Sequence, residues 1–195
     1  MCAVARSSAP TTTEAALLGL LVLDGPQSAY DLVRAVAASI GFFFAPARSH
    51  VYDVLPRLER HGWARHTVVE QASRPDKRVY RATAEGRRAL AAWVAEPDDA
   101  QTDRAVLLLK VYFGAIVEPA VTIQRLEDLR ARAHAALERY RAIEARNAGD
   151  DADFFPLLTL RHGIERTWST IRWTDDALAR LRQRLEAADL VRSGS

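Results

Sequence analysis

Apolar residues between positions 48 and 62 recur at three- and four-residue steps, the spacing of one face of an α-helix. Val51, Val54, Leu55 and Leu58 form this stripe, and Gly62 is placed to end the helix in a left-handed conformation. The opposite side carries arginines, hydroxyl groups and an aromatic ring. This pattern predicts a short helix with a buried face and a polar face suited to a DNA groove. An ordinary amphipathic surface helix shows the same pattern.

Two further helices are predicted before this segment. Thr11 and Glu14 have capping-box spacing, and the apolar run after them predicts a buried helix ending at Leu23. After a turn at residues 24–26, Ser28 is placed to cap a second helix with Asp31 in its first turn. The expected apolar side of this helix consists of Tyr30, Leu32, Val33 and Val36.

The periodicity changes after Gly62. Residues 63–71 are rich in valine and threonine and predict a strand, residues 73–76 predict a turn, and residues 77–82 predict a second strand. Thr83 then caps a fourth helix that reaches about residue 95. Three helices, a two-stranded wing and a further helix predict a winged helix-turn-helix over residues 11–96.

Residues 100–190 predict a separate all-helical domain, with the boundary at Pro97–Asp99. Heptad-like seams run along two long helices, the second of which is expected from Phe154 to about residue 188. We expect these seams to pair two copies of the chain, although an intramolecular antiparallel pair would use the same residues. The expected dimer interface consists of Leu126, Leu129, Ala133, Tyr140, Ile164, Trp168 and Ile171.

Composition narrows the class of protein. The chain has 195 residues, of which 49% are hydrophobic, so it can bury a core. Its single cysteine, Cys2, excludes a disulfide framework and a cysteine-based zinc cluster. No apolar run approaches the roughly 20 residues that cross a bilayer, and the N-terminal residues do not resemble a signal peptide. A soluble, cytoplasmic protein is therefore expected.

Positive charge is concentrated in residues 48–88. This segment holds ten basic residues against five acidic ones, a net charge of +5, whereas the whole chain carries only +2. A basic segment in an otherwise slightly acidic chain favours one surface that meets a polyanion, although chance clustering in an arginine-rich chain is the alternative.

Catalytic chemistry is not predicted. The five histidines lack zinc-protease spacing, Cys2 has no acid–base partner nearby in sequence, and no phosphate-binding glycine loop is present. We therefore expect a protein that is not an enzyme, with no cofactor and no metal site.

The segment from Val51 to Gly62, together with K-R-V-Y-R-A-T-A-E-G-R-R-A-L-A-A-W, resembles the PadR family of bacterial transcriptional regulators. The matching positions are Tyr52, Leu55, Leu58, Glu59, Gly62, Tyr80, Thr83, Gly86, Leu90 and Trp93. The chain departs from the family pattern at Asp53, where proline is common, and at Ala29, where glycine is common. Pro56 instead lies deeper in the helix, where it removes a hydrogen bond.

The resemblance implies a homodimeric regulator, usually a repressor, that releases double-stranded operator DNA when a small molecule binds. Ser49, His50 and Arg57 are expected to reach base edges, with Arg48 in the same DNA-binding set. Phosphate contacts are expected from Tyr52, Arg60, Arg74, Lys77, Arg78 and Tyr80. For Tyr80, packing inside the wing is the alternative.

Aromatic residues also suggest a pocket for a flat aromatic effector. Its expected lining residues are Phe43, with its neighbours Phe42 and Phe44, and Trp93, Trp168 and Trp173. Core packing is the alternative for each of them. For the whole chain, the alternative functions are a non-specific architectural DNA-binding protein and a winged-helix protein–protein adaptor.

Overall fold

A computed structural model describes residues 9–41, 43–70, 76–98, 102–146 and 154–193. The chain divides into two compact units, Met1–Pro119 and Ala120–Ser195. Among the described residues, no helix combines the length and the apolar character needed to span a membrane.

The first unit follows the predicted order of helices and wing. Its elements are α1 (Thr12–Leu23), β1 (Gln27–Ser28), α2 (Ala29–Ala38), α3 (Arg48–Arg60), β2 (Ala64–Val69), β3 (Lys77–Ala82), α4 (Ala84–Ala95), α5 (Arg104–Tyr112) and a 3-10 turn (Gly114–Ile116). The mainly α-helical winged-helix prediction is confirmed. The strand predicted over residues 63–71 runs from Ala64 to Val69, and Gln71 lies outside the described residues.

Local sequence signals mark the starts and ends of these elements where they were expected. Thr11 and Ser28 each form a capping box, with Glu14 and Asp31 respectively, and the Thr83 side chain accepts from the Gly86 amide. Gly62 follows α3 with φ +71°, so it ends the helix in the left-handed region. The N-terminal caps and the left-handed glycine predicted from the sequence are therefore confirmed.

The two predicted wing strands, β2 and β3, are present, and the short strand β1 joins them in a three-stranded antiparallel sheet. The order is β1–β3–β2, and Ser28 pairs with Val79 while His66 pairs with Tyr80. Because β1 immediately precedes α2, this ladder attaches the wing directly to the start of that helix.

The core of the first unit is built around α1, whose residues from Glu14 to Leu21 are all buried. The Phe113 ring packs so closely on Gly19 that a side chain at Gly19 would overlap it. Helix α5 therefore packs with the first unit, although the sequence assigns it to the second domain. The boundary between the two compact units falls after Pro119. The predicted domain ranges, 11–96 and 100–190, stay a prediction.

Apart from the first residue of α6, the second unit contains α6 (Pro119–Arg146) and α7 (Phe154–Ser193), two long helices that run antiparallel. Three ion pairs define their register: Arg182 with Glu127, Arg130 with Asp175, and Arg161 with Glu144, at 2.6, 3.1 and 3.6 Å. Between the helices, Ala133, Leu137 and Ile171 form a small buried cluster. Helix α7 extends five residues beyond the predicted end near residue 188.

Candidate nucleic-acid interface

Helix α3 has the two faces that its sequence predicts. Val51, Val54, Leu55 and Leu58 are at most 1% exposed and belong to the core of the first unit. On the opposite side Ser49, Asp53 and Arg60 are exposed, and Arg48 and His50 are exposed nearer to the stripe. The helix continues through Pro56, which lies on the exposed side and lacks the amide that would donate to the Tyr52 carbonyl.

Arg57, on one flank of α3, forms an ion pair with Glu14 of α1. Its Nε lies 3.3 Å from Glu14 Oε1, without the alignment of a hydrogen bond. The Glu14 side chain is 5% exposed, and its Oε2 accepts from the amide and hydroxyl of Thr11, both at 2.9 Å. The anionic partner of Arg57 is therefore Glu14 of α1. This pair joins the candidate reading helix to the first turn of α1.

The other flank of α3 is joined to the wing through Glu59. Its Oε1 accepts from the backbone amide of His66 at 3.0 Å and lies 2.6 Å from His66 Nδ1. Because a carboxylate only accepts hydrogen bonds, Nδ1 carries the proton in this contact. The ring of His66 in turn lies 5.5 Å from that of Tyr80, centroid to centroid. Glu59 thereby sets the position of β2 relative to the C-terminal end of α3.

Lys77, the first residue of β3, is paired with Asp31 of α2. Lys77 Nζ lies 2.9 Å from Asp31 Oδ2, and both side chains remain more than a third exposed. The Lys77 ammonium, followed by hydrogen bonds from Ser28, lowers the pKa of the Asp31 carboxyl from 3.8 to about 2. Asp31 therefore stays ionised at neutral pH and holds Lys77 beside α2.

A surface groove of about 690 Å³ lies between α2, α3 and the wing. It is lined by three tyrosines, namely Tyr30, Tyr52 and Tyr80, and by charged residues that include Lys77 and Arg78. Tyr52 is 46% exposed, whereas Tyr80 is only 5% exposed and belongs to the core. The alternative of wing packing therefore describes Tyr80 better than a free phosphate contact does.

Tyr30 is a candidate residue of this interface that the sequence did not suggest. It was assigned to the apolar side of α2, but it is 53% exposed at the mouth of the groove. It lies two residues before buried Leu32, and two residues along a helix turn a side chain by roughly 200°. A stricter helical wheel would have placed Tyr30 outside.

The predicted DNA-binding residues thus fall into four groups. Arg48, Ser49, His50, Tyr52, Arg60 and Arg78 are exposed, whereas Arg57 and Lys77 are half-buried in ion pairs. Tyr80 is buried. Arg74 lies outside the described residues. The described members all belong to the first unit, and their roles in binding stay predictions.

The four proposed effector residues have different surroundings. Phe43 is partly buried against the core of the first unit. Trp93 is 6% exposed, lines a cleft of about 520 Å³ beside α4, and has Lys110 Nζ 5.5 Å from its ring centroid. In the second unit, Trp168 packs with the small core and Arg141, whereas Trp173 is 37% exposed. Phe42 lies outside the described residues.

The predicted dimer seams contribute to packing within one chain. Ala133, Ile171, Ile164 and Trp168 pack together between α6 and α7, and Tyr140 lies beside Gly163. Leu126 is buried, whereas Leu129 is half-buried. The intramolecular antiparallel pair is therefore present, and a role for the same residues in dimerisation stays a prediction. Within the described residues, no group of three or more His, Cys, Asp or Glu side chains could hold a metal ion.

Both parts of the chain match known protein families. Residues 17–92 match the transcriptional regulator PadR-like family, and residues 104–182 match the virulence activator alpha C-terminal family. The probable transcriptional regulator Rv1176c of Mycobacterium tuberculosis is 34% identical over 175 residues, which cover 80% of this chain and 91% of the relative. The negative transcriptional regulator PadR of Bacillus subtilis is 24% identical over 84% of this chain and 94% of its own.

Solved structures with similar folds include Bacillus subtilis PadR in complex with operator DNA. It has a TM-score of 0.45 and 23% identity, and the match covers 88% of this chain and 99% of that structure. The Vibrio cholerae virulence activator AphA has a TM-score of 0.39 and 25% identity, covering 88% of this chain and 98% of its own. Given the family match over the winged-helix residues and a curated relative that is 34% identical over nearly its whole length, the chain belongs to the PadR-like family, whose members are transcriptional regulators and not enzymes.

Proposed function

We propose that this chain is a cytoplasmic, homodimeric repressor that binds operator DNA through α3 and the wing and responds to a small aromatic ligand. The observation that carries the DNA-binding part is the arrangement of α3. Its apolar stripe is fully buried, while Ser49 and Arg60 stay exposed on the opposite side and His50 is exposed on a flank. A helix held this way can enter a major groove without losing core contacts.

Within this proposal, the exposed side chains of α3 divide between base edges and phosphates. Ser49 and His50 lie in the first turn of α3, from which helix-turn-helix proteins commonly contact bases. Arg57 reaches bases only with its terminal nitrogens, because Glu14 faces its Nε. Tyr52, Arg60 and Arg78 supply phosphate contacts, which provide affinity and salt dependence rather than sequence preference.

The repressor and dimer parts of the proposal draw on other observations. The Bacillus subtilis relative is a negative transcriptional regulator, which favours repression for this chain too. The second unit has two long helices and a small internal core, which favours further packing on a second copy. A two-fold dimer would place two reading helices on two half-sites.

The effector part rests on the cleft beside α4. Buried Trp93 forms one wall, and Glu85, Arg88 and Glu96 surround it. An aromatic wall with a few charged groups suits a flat ligand that carries a polar substituent. Phe43, Trp168 and Trp173 are weaker candidates because none of them lines this cleft.

The decisive experiment is a gel-shift titration of the full chain against the promoter region of its own gene, with unlabelled competitor DNA. A specific regulator retains the promoter fragment under excess competitor. Equal loss to competitor would instead indicate an architectural DNA-binding protein, and no shift even in dilute buffer would indicate a protein–protein adaptor.

Variants then test how α3 contacts DNA. His50→Ala should weaken binding by about 1–3 kcal/mol and relax the preference at one base pair, because a lost base contact removes discrimination as well as affinity. Arg87→Ala, on the exposed face of α4, is the matched control and should leave the base preferences unchanged. An unchanged preference in His50→Ala would remove this residue from the reading set.

A further inference from the structure

The contact between Lys77 and Asp31 places a carboxylate where a DNA phosphate would be expected. Lys77 begins β3 at the outer part of the wing, and its ammonium lies 2.9 Å from Asp31 Oδ2. A carboxylate and a phosphate offer a lysine the same kind of partner, namely anionic oxygens. Lys77 cannot pair fully with both at one time.

Asp31 is held in this position by its own helix. Its Oδ2 accepts from the Ser28 hydroxyl at 2.7 Å and from the Ser28 amide at 3.2 Å, which closes the capping box of α2. The carboxylate therefore stays at the edge of the groove when a ligand approaches. It does not move away with a flexible side chain.

The ion pair is not needed to attach the wing to α2. Backbone pairing already does so, because Gln27 and Ser28 of β1 lie opposite Tyr80 and Val79 of β3. A half-exposed ion pair contributes only ~0–1 kcal/mol, which is small beside a backbone ladder. Its larger consequence is electrostatic, since it compensates the charge of a wing lysine in the free protein.

We propose that Asp31 is an affinity-limiting residue that competes with DNA phosphate for Lys77. This inference rests on the proposed function, because it requires the wing to meet DNA. When DNA binds, Lys77 leaves Asp31 and pairs with a phosphate, and the uncovered carboxylate remains beside the polyanion. The pairing of Lys77 with Asp31 in the free protein thus lowers the affinity of the protein for DNA.

The competition predicts an unusual dependence on salt. A lysine that newly pairs with phosphate normally releases a counterion, which steepens the plot of log K against log salt concentration by about 0.9. In this chain the uncovered Asp31 takes up a cation at the same time. The two effects nearly cancel, so Lys77 adds little to the salt slope of the native protein.

The test uses four full-length proteins: the native chain, Asp31→Asn, Lys77→Ala and the double variant. Asparagine keeps an oxygen that accepts from Ser28, so the cap of α2 is preserved while the charge is removed. Asp31→Asn should bind operator DNA about two- to fivefold more tightly. Lys77→Ala should lower the salt slope by about 0.9 in the Asp31→Asn background and by much less in the native background.

Asp76→Asn is the matched control for bulk charge. Asp76 lies next to Lys77 in the same groove, and no ion pair is found for it within the described part of the chain. Its removal takes away the same charge without releasing a paired lysine. Asp31→Asn should therefore exceed Asp76→Asn in affinity, and the excess should vanish when Lys77 is replaced by alanine.

Two results would overturn the inference. One is an Asp31→Asn affinity no higher than that of Asp76→Asn, and the other is the same loss of salt slope for Lys77→Ala in both backgrounds. Either result leaves the proposed function intact if the native chain binds the operator. Failure of the native chain to bind duplex DNA in dilute buffer would overturn the proposed function, and with it the competition.

Discussion

The two units of this chain bury their apolar residues to very different extents. In the first unit, helices α1 to α5 and the wing contribute to one continuous core, and α1 is buried almost completely. Among the described residues of the second unit, helices of 28 and 40 residues share a cluster of three buried residues, with Ile164 and Trp168 packed beside it, and Leu126 and Leu178 are buried outside this cluster. Among the described residues of α7, Leu158 and Trp173 are still 47% and 37% exposed.

This difference indicates that the first unit is stabilised by its own core, whereas the second unit is suited to forming an assembly. The first unit has enough internal packing to hold the relative positions of α3 and the wing without outside help. A pair of helices with a small shared core gains little stability by itself, because most of a helix's stability in a protein comes from tertiary packing. The second unit is therefore suited to packing on a second copy, and substitutions should act differently in the two units.

The largest expected effect is that of Gly86→Ala in the first unit. A Cβ at this position would overlap the Trp63 carbonyl oxygen, and that oxygen is held by the Thr83 amide at 2.9 Å. Because backbone atoms cannot yield easily, we expect a loss of about 3 kcal/mol in the free energy of unfolding, measured by urea denaturation. A loss below 0.5 kcal/mol would mean that this contact adapts, roughly within the range of an ordinary surface change.

Leu129→Glu should have the next largest effect, on assembly rather than on folding. Leu129 is half-buried on the α6 seam, and a carboxylate there would lose hydration without gaining a partner if the seam crosses subunits. Light scattering should then show a dimer dissociation constant raised by roughly 100-fold or more. Ala135→Glu, at an exposed position of the same helix, is the control and should stay dimeric. An intact Leu129→Glu dimer would place the seam within one chain.

Glu14→Gln should reduce the stability of the first unit by an intermediate amount. The change removes the charge that faces Arg57 but keeps an acceptor for Thr11, so it isolates the ion pair. We expect a loss of about 1–2 kcal/mol in the free energy of unfolding, discounted from the buried-pair range because Arg57 is 36% exposed. Glu85→Gln removes an exposed partner of Arg88 and should cost less than about 0.5 kcal/mol. Equal losses in the two variants would contradict a special role for Glu14.

The smallest effect, with the opposite sign to that of Gly86→Ala, is expected for Gly163→Ala. The nearest atom to a Cβ here is Tyr140 Cε2 at 3.5 Å, which is ordinary contact. Alanine also favours the helix over glycine by about 0.8–1 kcal/mol, so thermal denaturation should show a modest rise in melting temperature. A fall would mean that α6 and α7 approach each other more tightly than this contact indicates.

Much of the local structure follows from short sequence signals. Thr11, Ser28 and Thr83 cap helices through side chains that reach only three residues ahead, and Gly62 needs nothing but its missing side chain to adopt φ +71°. The buried stripe of α3 follows from its spacing, because helical geometry puts residues three and four apart on one side. These features depend on neighbours in the chain, so a sequence is enough to predict them.

The tertiary structure alone decided which charges meet. Strand β1 has only two residues and no pattern of its own, and it exists because β3 lies beside it. Arg57 was expected to contact bases and Lys77 to contact a phosphate. The fold instead places Glu14 beside Arg57 and Asp31 beside Lys77. An ion pair forms wherever packing brings opposite charges within about 4 Å. The residues between two partners along the chain do not determine the distance between those partners in the fold. The sequence therefore identified the cations of this surface but not Glu14 and Asp31, the carboxylates that pair with two of them.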